Sequence, residues 1–334
     1  YYEISQPELS YEACNHYLNN YPDGRYRDVA LFFIAKSQTL PENARLARLN
    51  YEKLLREHPD SAWAIEARFE LSELHFLASE YPEAEALYQS LADSGTEHTG
   101  FKLRLAQTYF YQDKYAEASQ IISSDLDPST DFEAALLQGG ISFSQKDYEN
   151  ALDTFTMAGD LAITPSQKTE ALSYQAYTLY YLKRYAEASK LFQDLSRDSL
   201  NADIYLYQAA KAAAAGRNWV RAVELYDRWL DEFPESDYFL SVLADIANTN
   251  FNLGRYSESL TDWLNILKRF TNNTYVEDAD RPLLAEVFTG IETCSRKLRG
   301  TEHIDTIANM IDSFKSDYIK LAIGELSTST RSPI

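Results

Sequence analysis

The chain has 334 residues and a net charge of −20, from 51 acidic and 31 basic side chains. That surplus argues against a broad nucleic-acid surface and against docking on anionic lipid, since both need clustered Lys and Arg. A hydrophobic content of 45% with 25 Tyr and 16 Phe excludes a disordered acidic chain, and only 11 Gly and 10 Pro disfavour a turn-rich β fold and Gly-rich phosphate loops.

Read from the N-terminus, residues 1–24 form a partial unit ending in Asn-Tyr-Pro-Asp-Gly (20–24), with Ser10 or Ala13 as its small residue. Ala47 and Tyr51 follow, and Pro59 closes a helix in the phrase Arg-Glu-His-Pro-Asp-Ser (56–61). A signature of an aromatic, a small residue three on and a bulky residue four further then recurs. Its members are Tyr81/Ala84/Tyr88, Tyr115/Ala118/Ile122, Tyr148/Ala151/Phe155, Tyr185/Ala188/Phe192, Trp219/Ala222/Tyr226 and Tyr256/Ser259/Trp263. Successive small residues, counted from Ala47, lie 33 to 37 apart. A repeat of that period is the mark of a stacked array. Pro234 closes a later unit in Asp-Glu-Phe-Pro-Glu-Ser (231–236), 12 residues after Ala222, as Pro59 lies 12 after Ala47.

Each unit reads as a helical hairpin. Before every signature runs a stretch with apolar residues at helical spacing, such as Ala67 to Phe76, then a short polar break such as Lys183-Arg184. The second helix carries the small residue where two helices approach, with a bulky side chain four residues on along the same face. Pro41 and Pro82 are placed to open second helices, where a missing N–H costs nothing.

This pattern resembles the tetratricopeptide repeat, a family of ~34-residue helix–turn–helix units. Leu71, Ser72, His75, Tyr81, Ala84 and Tyr88 occupy the family positions in one unit, and Leu105, Ala106, Tyr109, Tyr115 and Ala118 in the next. Gln38 and Asn250 depart from it, standing where Tyr is usual. The resemblance implies an all-α, right-handed α-solenoid of about nine helical hairpins. The array is expected over residues 1–275 and a divergent C-terminal hairpin or cap over 276–320. Residues 281–299 read as its first helix and 302–315 as its second, with Ile304, Ile307, Ile311 and Phe314 on one face. Residues 321–334 are expected to be a mobile tail.

No nucleotide loop, nucleophile elbow or zinc-protease motif occurs, and the five histidines (16, 58, 75, 98 and 303) show no i,i+4 pairing. His75, at a core position of its repeat, reads as packing. The acids between Asp125 and Asp131 lack the Gly and distal Glu of a calcium loop, and Cys14 and Cys294 read as two separate thiols. A non-enzymatic chain without metal or cofactor is the expectation. No run of 18 apolar residues exists, so direct membrane insertion of this segment is not expected. The start at Tyr1 rather than Met reads as a processed or excised piece, which leaves the absence of a leader with little weight.

In the family, the first helix of each hairpin lines an inner groove that holds partner segments. Counting along those helices, the resemblance places Phe69, Glu73, Phe76, Gln107, Phe110, Tyr111, Tyr177, Tyr180, Tyr181, Tyr207, Lys211, Asn248 and Phe251 there. The surface so defined is rich in Tyr, a side chain with large contact area and little rotamer entropy to lose. The basic clamp with which some chaperone cofactors of the family hold an acidic C-terminus is missing. Its positions carry Phe69/Glu73, Leu103/Gln107, Leu136/Gly140 and Ser173/Tyr177, and only Lys211 is basic. The expected role is a protein–protein interaction scaffold or adaptor, with neutral to basic protein or peptide segments as partners and no nucleic acid. The Pro-containing closing phrases resemble those of bacterial cell-envelope members, favouring the periplasm over the cytoplasm. The alternative is a recruitment or regulatory segment of a larger enzyme or receptor.

Overall fold

The computed structural model describes residues 7–38, 43–95, 100–197, 199–298 and 302–329. Among them the regular structure is helical and falls into two compact units, residues 1–162 and 163–334. In the first unit lie α1 (Pro7–Asn20), α2 (Arg27–Ser37), α3 (Ala44–Glu57), α4 (Ala64–Leu77), α5 (Tyr81–Asp93), α6 (Phe101–Phe110), α7 (Tyr115–Asp125), α8 (Phe132–Ser144) and α9 (Tyr148–Leu161). In the second lie α10 (Pro165–Tyr181), α11 (Tyr185–Leu195), α12 (Ala202–Ala215), α13 (Trp219–Glu232), α14 (Phe239–Asn252), α15 (Tyr256–Lys268), α16 (Arg281–Lys297), α17 (Glu302–Asn309) and α18 (Asp317–Ser329). Within each unit, helices pack chiefly on their neighbours in the chain, which is how hairpins stack.

The recurring small residues explain the stacking. Ala47, Ala84, Ala118, Ala151, Ala188, Ala222 and Ser259 are all at most 1% exposed, so a larger side chain at any of them would meet the facing helix. The bulky residue four positions on is buried with it in every unit, from Tyr51 to Trp263. Burying one such Phe contributes about 1.5–3 kcal/mol. In α1 it is Ser10 that is buried while Ala13 faces solvent, so Ser10 continues the series. Gln38 and Asn250 are buried too, and each meets a polar partner 12 residues on. Asn50 Nδ2 donates to Gln38 Oε1 at 3.3 Å, and Asn250 Nδ2 donates to Asp262 Oδ2 at 2.8 Å. The departures from Tyr are thus matched by compensating polar groups on the following helix.

The turn inside each hairpin has one geometry. Ser79, Asp113, Lys146, Lys183, Arg217 and Gly254 all take left-handed backbone, with φ between 59° and 76°. The N–H of each left-handed residue bonds the carbonyl three residues back, and the next N–H bonds a carbonyl five back, as in Lys183 to Tyr180 (3.0 Å) and Arg184 to Leu179 (2.9 Å). This closes the helix by satisfying its orphan carbonyls. Gly is the residue suited to that conformation, yet five of these six positions carry a side chain. Pro82 opens α5 as expected, whereas Pro41 lies outside the described residues. At the head of the second unit, the Thr164 hydroxyl accepts from the Gln167 N–H in a capping box ahead of α10.

The C-terminal end departs from the sequence expectation. The helix expected over 302–315 stops at Asn309, gives way to a 3-10 turn at Ile311–Ser313, and is followed by α18. Residues 321–329, expected as tail, are helical and continuous with the buried Ile319, and their Ile323 and Leu326 join Val287, Ile291 and Phe314 in the core. Residues 330–334 of that tail lie outside the described residues. Ile304, Ile307 and Phe314 are buried together with Leu284 of α16.

Candidate functional site

In the first unit, α4 and α6 bring most of their expected groove residues into one connected surface. Arg104 organises it. Its guanidinium forms an ion pair with Glu73 (Nε to Oε2, 3.2 Å), donates to Gln107 Oε1 at 3.1 Å and lies 5.0 Å above the centre of the Phe76 ring. Glu73 also accepts from the Tyr88 hydroxyl, and burial together with that carboxylate pushes the Tyr88 phenol far above its ordinary range. Phe76 packs edge-on against Tyr111 at 5.8 Å, and Tyr111 stacks on Tyr81 at 5.1 Å with the rings 12° apart. Tyr111 remains 54% exposed. Phe110 touches Tyr111 and Tyr115 and lies beside Gly140 of α8. Phe69 packs instead against Tyr88 in a core cluster and offers less free surface.

In the second unit the expected residues divide. On α10, Tyr177 packs edge-on against Phe192 at 4.9 Å, and Tyr180 against Tyr185 at 5.3 Å. Burial raises the pKa of both phenols. Tyr181 is 51% exposed. Tyr207 departs from the expectation of an open groove position, because its ring is buried among Tyr226, Trp229 and Tyr238. Its hydroxyl donates to Asp245 Oδ2 at 2.8 Å, while Lys211 Nζ sits 5.2 Å from the ring centre. Burial raises the pKa of Asp245, opposed by the Tyr207 hydrogen bond and the Lys211 charge and reinforced by the Glu286 carboxylate. Asn248 and Phe251 of α14 face α16 across a cleft of about 390 Å³ that also involves Glu286, and Asn248 Nδ2 donates to Glu286 Oε1 at 2.9 Å.

Three residues of these surfaces escape a count along the helices: Arg104, Asp245 and Glu286. Arg104 and Asp245 sit beside the counted positions, and Glu286 lies in a helix without the repeat signature. His75 is more than packing, since its Nδ1 lies 2.6 Å from Glu80 Oε2, which Arg48 also binds. Both cysteines are free thiols. Among the described residues no group of three His, Cys, Asp or Glu could hold a metal ion, and no helix is long and apolar enough to cross a membrane.

A succession of helical hairpins with buried small residues at the crossings and no strand among the described residues is an α-solenoid. The tetratricopeptide-repeat family model matches residues 42–98 and 175–237. The C-terminal part of a tetratricopeptide-repeat protein from Cytophaga hutchinsonii aligns with 78% of this chain and 98% of its own, at 14% identity and a TM-score of 0.59. Pseudomonas aeruginosa pilF aligns with 65% of this chain and 97% of its own, at 18% identity and a TM-score of 0.48. Naa15/Naa10 bound to HypK-THB aligns with 98% of this chain and 55% of its own, at 15% identity and a TM-score of 0.41. No curated protein sequence matches the chain. Residues 42–98 and 175–237 of this chain thus carry tetratricopeptide repeats. Repeats of this family generally mediate protein–protein interaction, and its members are typically non-catalytic.

Proposed function

We propose that this protein is a non-enzymatic scaffold that holds segments of partner proteins against the first helices of its hairpins. The observation that carries the reading is the concentration of accessible rings at equivalent places on those helices. In the first unit these are Phe76, Phe110 and Tyr111, and in the second Tyr180 and Tyr181, all at least partly exposed, with Tyr177 about one turn ahead of them. Rings of this kind supply contact area at low entropic cost and are the usual anchors of protein interfaces. The net charge of −20 favours neutral to basic segments. The closing phrases at residues 20–24, 56–61 and 231–236 support a place in a bacterial envelope assembly.

Tyr111 and Tyr181 are the side chains to test, because Tyr177 and Tyr180 also pack inside the hairpin. Quantitative mass spectrometry of proteins captured from the native source should show partners lost from Tyr111→Ala/Tyr181→Ala, with helicity and melting close to those of the parent. Undiminished capture by the folded double variant would refute the groove.

A further inference from the structure

The cleft between α14 and α16 has a floor and a rim of different character. Its floor is the partly exposed ring of Phe251, beside Trp263 of α15, which is only 1% exposed. Gly290 lets α16 lie directly against Trp263, because a Cβ there would overlap its ring. The rim is polar, and its hydroxyl and amide protons are largely engaged within the protein. Thr289 Oγ1 donates to Ala285 O at 2.8 Å and Thr293 Oγ1 to Thr289 O at 2.6 Å, while Asn248 spends an N–H on Glu286. What these side chains offer an incoming group is therefore oxygen lone pairs and one carboxylate. No basic side chain lines the cleft, and Glu286 has no ion-pair partner within 4 Å among the described residues. The neighbouring carboxylate Asp245 feels the charge of Glu286, opposed by that of Lys211.

We propose that this cleft receives the side chain of an arginine from the partner segment, a reading that rests on the groove function above. Arginine is a donor with no acceptor, so it answers a rim of lone pairs and a carboxylate. Its flat guanidinium and aliphatic stem also stack on the partly exposed Phe251 ring, which the compact, strongly hydrated lysine head does less well. The volume of the cleft exceeds that of a single side chain, leaving room for a neighbouring residue or water.

The test is selection of a random peptide library displayed on phage against the whole chain, followed by synthesis of the enriched peptide. The expected peptides share an arginine. Its replacement by citrulline, which keeps the shape and removes the charge, should weaken binding about tenfold or more against the parent chain. Against Glu286→Gln the same replacement should cost less than about threefold. Thr289→Leu, which fills the cleft from an exposed position, should weaken the arginine peptide independently. Enriched peptides that lack arginine, prefer lysine, or bind Glu286→Gln and Thr289→Leu as well as the parent would overturn the arginine cleft. If those peptides still lost affinity for Tyr111→Ala or Tyr181→Ala, the groove reading would stand without it. Failure of any peptide to enrich would sink both.

Discussion

The left-handed turns hold removable strain, and its size follows from the backbone. Lys146, Lys183 and Arg217 sit at φ 64°, 61° and 60°. A residue with a Cβ loses about 1–2 kcal/mol in that region. Glycine avoids this loss but gives back about 0.5–1 kcal/mol through the greater freedom of its unfolded chain. The net gain expected from Lys183→Gly is therefore about 0.5–1 kcal/mol, and the same holds for Arg217→Gly. The removed side chains forfeit little, because both are exposed and no ion pair is found for either among the described residues. The two turns belong to different hairpins of one unit, so the gains should add to about 1–2 kcal/mol. Urea unfolding followed by circular dichroism would show this as a higher midpoint with unchanged slope. Gly254→Ala is the mirror experiment, since it introduces the penalty where glycine already stands (φ 76°), and after the same offset it should lower stability by about 0.5–1 kcal/mol. A lower midpoint for Lys183→Gly together with a neutral Gly254→Ala would refute the claim that backbone strain governs these turns.

Glycines inside helices should divide by what faces them. Gly139→Ala drives a methyl into the Phe155 ring and should cost about 1–3 kcal/mol, whereas Gly324→Ala in α18 meets nothing within 4 Å and should stabilise by up to about 1 kcal/mol, both read by thermal melting. Tyr207→Phe removes a donor from a buried carboxylate and should cost about 1–3 kcal/mol. Adding Asp245→Asn should recover part of that loss, because the charge that needed the donor is gone. Acidification should affect the units oppositely. Burial raises Asp227, Asp245 and Asp262 above the ordinary carboxylate range, so the folded chain binds these protons more tightly than the unfolded chain does. Their destabilisation at neutral pH therefore fades as pH falls through the raised folded values. Glu80 and Asp125 are held low by hydrogen bonds from Arg48 and Lys102. The stability they contribute is present above their unfolded values and is lost only as pH falls through the depressed folded ones. Amide exchange corrected for intrinsic rates should show α13–α15 gaining protection as pH is lowered from about 7 toward the ordinary carboxylate range while α4–α7 do not, and Asp245→Asn should flatten part of that gain.

Which of these features a reader of the sequence can see depends on whether they repeat. The crossings of the hairpins are legible because packing there tolerates one answer: Ala or Ser against a facing helix at near-zero exposure, with a buried bulky residue four positions on. The turn geometry is not legible from composition, because lysine and arginine at Lys183 and Arg217 conceal a conformation that glycine would advertise. The boundary at residue 162 leaves no mark in the spacing either, since Ala151 and Ala188 are in phase across it. At the C-terminus the array ends and the guide ends with it, so α18 goes unread although Ile319 and Ile323 are wholly buried. The tyrosines show why the groove is the hardest part to infer. Position along the helix does place Tyr111, Tyr181 and Tyr207 on one face of their helices. It does not say whether that face stays open. Tyr207 is closed over because a later helix presents Asp245 to its hydroxyl and Tyr238 precedes that same helix, contacts that lie 38 and 31 residues on. A buried phenol facing a carboxylate holds two hairpins in register, while an exposed one is available to another chain. Repeat position alone cannot distinguish these outcomes, because the residue that decides between them belongs to the next unit.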